Sequence, residues 1–99
     1  MENINELTPS QTELLALMLE EMGEAQQIIG KVLRHGYRSY NPNDPDKEPN
    51  QVLLAKELGH VFAAIQMLVS KQDISGFVLE LSREEKHKSV KKWMHHQEE

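Results

Sequence analysis

Apolar residues recur at helical spacing from Leu14 to Leu33 and again from Leu53 to Val69. In the first run, at about 100° per residue, the apolar arc is centred on Met18, Met22, Ala25 and Ile29 and widened by Leu14, Leu15, Ile28, Val32 and Leu33. Thr8-Pro9-Ser10-Gln11 opens this helix, with Thr8 as N-cap, Pro9 in the first turn and Gln11 closing a capping box. The predicted helix runs over 9–35 and stops at Gly36, which can take a left-handed backbone. Lys31, Arg34 and His35 near its end suit the negative pole of the helix dipole. Residues 1–7 carry no pattern and read as a lead-in.

The second run predicts a helix over 51–71. Leu54, Leu58, Val61, Phe62, Ile65 and Val69 form its stripe, broadened by Leu53, Ala64 and Leu68. Between the helices, the segment from Gly36 to Pro49 is rich in Pro, Asn and Asp and reads as a loop longer than most helix connections. Tyr37, Tyr40 and Arg38 there suit contacts to a base or a phosphate, and equally a surface loop whose tyrosines cover the core. Asp73 to Gly76 breaks the pattern, and Phe77 to Leu81 is apolar without a clear period. Ser82-Arg83-Glu84-Glu85 reads as a second capping box, opening a last helix over 82–95. Its lysines suit a solvated face more than phosphate contact, and Val90, Trp93 and Met94 give it a small apolar side. The fold class is all-α: an antiparallel helical pair plus a short C-terminal helix, in one domain.

Polar residues within the apolar arcs change the picture. Glu21 projects between Met18 and Ala25, Glu24 lies at the arc's edge, and Glu20 points toward water. On the second helix Glu57 falls between Leu54, Val61 and Ala64, and His60 lies beside Leu53 and Ala64. A carboxylate leaving water needs a partner or a metal. Glu21 with Glu24 and Glu57 with His60 repeat one spacing on two helices, and their facing would make an oxygen-rich site suited to Mg²⁺ or Mn²⁺. The plainer alternative pairs Glu21 and Glu57 with Lys or Arg and leaves His60 as a hydrogen-bonded core residue.

The chain has 99 residues, 38% of them hydrophobic, a net charge of −5 and no cysteine. Two long apolar helices with little to cover them predict a homo-oligomer. The acidic balance argues against binding a nucleic-acid polymer but leaves room for a nucleotide, whose phosphates a metal can screen. Without cysteine there is neither a disulfide framework nor a thiolate site. No signal pattern and no apolar run long enough to span a bilayer are expected, so the predicted location is cytoplasmic, without membrane contact.

Glu20-Glu21-Met22-Gly23-Glu24 followed by Glu57-Leu58-Gly59-His60 resembles the MazG-like nucleoside triphosphate pyrophosphohydrolases, whose hallmark is Glu-Glu-x-x-Glu and then Glu-x-x-Asp on paired helices. The resemblance spans about Leu14 to Asp73. It implies an all-α homodimer or tetramer built as four-helix bundles, Mg²⁺ as cofactor, and cleavage of a nucleoside triphosphate to monophosphate and pyrophosphate. It also implies Glu21, Glu24 and Glu57 as metal ligands and Glu20 as a further acid serving a second metal or the attacking water. Lys31, with Arg34, His35 and Arg38, would neutralise the phosphate chain, and Tyr37, Tyr40 or Phe62 would carry the base. His60 departs from the pattern, standing where the family has Asp. It can tune the site to Mn²⁺, leave a ligand position to water, or mark a member that binds nucleotides without turnover. Two rivals remain: a carboxylate/His di-metal helical bundle, for which Glu57-x-x-His60 is the right pairing, and a non-catalytic nucleotide-binding or regulatory helical dimer.

Overall fold

The computed structural model describes residues 4–97 and is all-helical. Helix α1 spans Pro9–His35, α2 Asn50–Ser70 and α3 Gly76–Ser89, with a 3-10 turn at Val90–Trp93. The start of α1 follows from its capping box: the Thr8 hydroxyl accepts from Gln11 N–H at 3.1 Å, and the Gln11 side chain accepts from Thr8 N–H at 2.9 Å. Its end follows from Gly36, whose φ of 91° few side chains tolerate and whose N–H donates to Val32 at 2.7 Å. The backbone there is extended (ψ 167°) rather than left-handed helical, so the chain turns straight out into the loop.

Helices α1 and α2 form an antiparallel hairpin. Gln11 meets Asp73 at one end, Glu21 meets His60 in the middle, and Gly36 meets Asn50 at the other end. The sequence suggested packing through the centres of the apolar arcs, and the structure shifts the contact. The buried residues are Ala25 on α1 and Asn50, Glu57, Ala64 and Leu68 on α2. Of the α1 arc's centre Ala25 is buried while Met22 and Ile29 stay exposed, and on α2 the contact lies at the edge of the stripe, on Glu57, Ala64 and Leu68, leaving Leu58 and Phe62 exposed. Each broad arc is thereby split into a packed half and an uncovered half.

The C-terminal prediction needs correction. Ser82 is not a cap: it lies within α3, which begins at Gly76 with Ser75 as N-cap accepting from Val78 N–H at 3.1 Å. The apolar stretch Phe77 to Leu81 is helical, and α3 gives way to the 3-10 turn after Ser89 instead of continuing to 95. The corner at Gly76 is tight: a Cβ there would stand 3.1 Å from Val69 Cγ1, so Val69 would have to shift slightly to admit a side chain. Beyond that corner α3 runs clear of the hairpin, packing chiefly on its own 3-10 turn.

Helix α2 also revises one expectation. Its best 18-residue window has a mean hydropathy of 1.5, so by length and composition alone it could cross a bilayer. Lys56, Glu57 and His60 sit at its middle, where hydrocarbon would make each of them expensive.

Candidate metal centre

Mid-hairpin, the packed faces of α1 and α2 bring Glu21 against Glu57. Their side chains are 16% and 8% exposed, so both carboxylates have left bulk water. Among the described residues no lysine or arginine pairs with them. The Oε2 atoms of Glu21 and Glu57 are buried without a hydrogen-bond partner. The nearest base is His60, whose Nδ1 lies 3.5 Å from Glu21 and 3.4 Å from Glu57. Ligand atoms of Glu21, Glu57 and His60 all fall within 4.8 Å of one another. Two adjacent carboxylates repel when ionised, and the Glu57 carboxyl is pushed up to about 7. The facing Glu21 carboxylate, which only a protonated Glu57 could meet as a hydrogen-bond donor, is the largest cause, followed by loss of water and by the neighbouring Glu24 carboxylate. Orphaned buried oxygens beside an imidazole nitrogen suit a divalent cation: it would supply the charge that the protein withholds.

Of the acids singled out in the sequence, Glu24 stays exposed outside the close trio but is near enough to act on Glu57. Glu20 is exposed on the outer side of α1. His60, the departure from the motif, stays 62% exposed and turns only its Nδ1 toward the half-buried Glu21 and the buried Glu57.

The same side of the hairpin carries a pocket of about 380 Å³ at the end of α1. Lys31, Arg34 and His35 line it with Tyr40, Asn50 and Leu53. Lys31 lies about two turns of α1, roughly 10 Å, beyond Glu24, and Leu53 about one turn before Glu57. Tyr37 and Arg38 are exposed on the loop and do not line the pocket, and Phe62 faces another groove, beside α3. Sequence reasoning overlooked Asn50, the buried polar residue that builds the loop wall. Its Nδ2 donates to Gly36 O at 3.2 Å and its N–H to Ser39 O at 2.8 Å. Gln51 N–H reaches Tyr37 O at 2.9 Å, and the Asp44 carboxylate accepts from Asp46 and Glu48 N–H. Glu48 in turn pairs with Lys56 on α2. An Asn directly after Pro at a helix start was the only cue in the sequence.

No protein-family model, curated protein or solved structure matches the chain.

Proposed function

We propose that this chain is a divalent-metal-dependent nucleoside triphosphate pyrophosphohydrolase of the MazG-like type. The observation that carries the reading is the pair of buried, unpartnered carboxylate oxygens on Glu21 and Glu57, converging with His60 Nδ1. The motif resemblance and a cationic pocket on the same side of the hairpin add to it.

Glu21, Glu57 and His60 would hold the ion, with Glu24 as a further oxygen ligand or as the acceptor of a water proton. A bound divalent ion supplies Lewis acidity, drawing charge from a phosphate oxygen and lowering the pKa of water. Lys31, Arg34 and His35 neutralise an anionic chain lying along the site, and Tyr40 and Leu53 offer an apolar wall to the nucleoside. In the reaction, water oxygen bonds to the α-phosphorus, the bond to the β-phosphate bridging oxygen breaks, and the proton passes to a carboxylate such as Glu24. Monophosphate and pyrophosphate leave. Glu20, further out, suits a role in orienting water or holding a second ion.

The test is product analysis with a panel of ribo- and deoxyribonucleoside triphosphates in Mg²⁺ and separately in Mn²⁺. Monophosphate plus pyrophosphate from the unmodified chain, lost in Glu21→Gln and Glu57→Gln, is the expected result. Full activity in either variant overturns the assignment. One observation favours a second reading: an imidazole between two carboxylates is also the donor set of di-metal helical bundles, in which a symmetric partner supplies the second Glu-x-x-His. Iron retained in the purified protein, with no triphosphate cleaved, would favour it.

A further inference from the structure

The metal centre and its pocket make no use of the C-terminal arm. From Phe77 to Gln97 every residue except Val90 is exposed, because α3 leaves the hairpin at the Gly76 corner and packs chiefly on its own 3-10 turn. Charge is sorted along this arm. Glu80, Glu84 and Glu85 belong to its near half, and Glu98 and Glu99 follow it in the sequence. Between them, Lys86 to Gln97 holds four lysines, three histidines and no acid. Residues 1–75 carry a net charge of −5, equal to that of the whole chain. The acidity that argues against a nucleic-acid polymer for the chain as a whole therefore lies before α3, and the Lys86 to Gln97 stretch reverses it locally.

One side of the arm forms a groove of about 560 Å³. Arg83, already paired with Glu80, lines it with Lys86, His87 and Lys91, and Val90 and Met94 supply its apolar part. Among the described residues no carboxylate lines it. Directly before Met94 stands Trp93, the chain's single tryptophan, 78% exposed. Cations for phosphates and a bare aromatic ring for a base are the two elements by which single-stranded nucleic acid is gripped without regard to sequence.

We propose that the arm binds single-stranded nucleic acid, its lysines following the phosphates and Trp93 stacking on a base. Shape selects this occupant among polyanions. At about 100° per residue Lys88 falls on the opposite side of α3 from Lys86. A bilayer reaches only one side of such an arm, and the acidic hairpin repels any anionic surface broad enough to touch both. A single strand is narrow and can wrap. Insertion into a bilayer also needs an apolar side along the basic segment, whereas the apolar run Phe77 to Leu81 precedes the lysines. Protein partners fit less well, since lysine is depleted in protein interfaces. The inference is independent of what the metal centre does.

As the only tryptophan, Trp93 reports binding by its own fluorescence. The full chain is titrated with a short oligothymidylate bearing a free 5′-hydroxyl, in EDTA so that the metal centre takes no part, at several salt concentrations. The expected result is quenching, with an affinity that falls with salt at a log–log slope of about −3 if all four lysines meet phosphates. The double variant Lys86→Ala/Lys91→Ala should bring that slope to about −1.4. Trp93→Leu, followed by anisotropy of a labelled oligonucleotide, should weaken binding at least about fivefold and leave the slope unchanged. All three side chains are exposed, so the variants should fold, and circular dichroism checks that they do. No binding at low salt overturns the proposal, as does binding that the double variant leaves intact. Equal binding of polyglutamate overturns it in favour of plain charge attraction. Quenching by phosphatidylserine vesicles, with none by the oligonucleotide, overturns it in favour of a membrane surface.

Discussion

Adding a divalent ion to the metal-free protein should release a proton from Glu57, by an amount that depends steeply on pH. The Glu57 carboxyl titrates at about 7, against 4.5 for an ordinary glutamate. The folded value lies above the unfolded one, so between these limits the metal-free native state binds more protons than the unfolded chain. The stability contributed by Glu57 is therefore fully present below about pH 4.5 and is lost as pH rises through 7. A cation at Glu21 and Glu57 demands the ionised form and reverses the dependence. For one group titrating near 7, binding should release about 0.9 proton at pH 6, about 0.5 at pH 7 and about 0.1 at pH 8. Apparent affinity should rise about tenfold over the same interval. Calorimetry with Mn²⁺ in buffers of differing ionisation enthalpy measures the proton count directly. A release that does not vary with pH, or one that persists unchanged in Glu57→Gln, would refute the reasoning.

Glu24→Gln removes one of the charges that raise Glu57, so the Glu57 carboxyl should titrate lower and less proton should be released at pH 6; the same calorimetry reads it. Lys31→Ala should weaken triphosphate binding by roughly 1.5–3 kcal/mol if its ammonium hydrogen-bonds a phosphate, seen in KM with kcat little changed. Asn50→Ala strips the donor to Gly36 O from a residue that is only 5% exposed; a loss of about 1–2 kcal/mol in urea unfolding is expected, with faster amide exchange in the loop. Thr8→Ala breaks the α1 capping box and should cost about 1 kcal/mol by the same unfolding measurement, without altering metal binding.

The sequence made the long helices readable because their ends are set by local chemistry. The reciprocal side-chain bonds of Thr8 and Gln11, and the positive φ at Gly36, act over a few residues and leave a visible trace. Ser82-Arg83-Glu84-Glu85 misled for the same reason: the pattern of a capping box can also sit inside a helix, and the competing cap at Ser75 needs no glutamate three residues on. The convergence of Glu21, Glu57 and His60 was legible as acids placed inside apolar arcs. Which side of each arc packs was not, since the apolar residues on both sides of Ala25 and Ala64 offer similar surfaces and only the docked pair of helices decides between them. The pocket was half legible. Lys31, Arg34 and His35 follow from helical spacing, whereas the wall raised by Ser39, Tyr40 and Asn50 depends on loop hydrogen bonds that have no period.

That loop has a kinetic consequence. From Gly36 to Pro49 it lacks regular structure, yet Asn50, Gln51 and Asp44 tie its backbone at successive points. A ligand entering the pocket meets a wall already standing, and little backbone freedom remains to be lost on arrival. Association should then be governed by encounter and by the cationic rim, with single-exponential kinetics linear in ligand concentration and no slower ordering phase. Loosening the ties would convert a one-step capture into a two-step one.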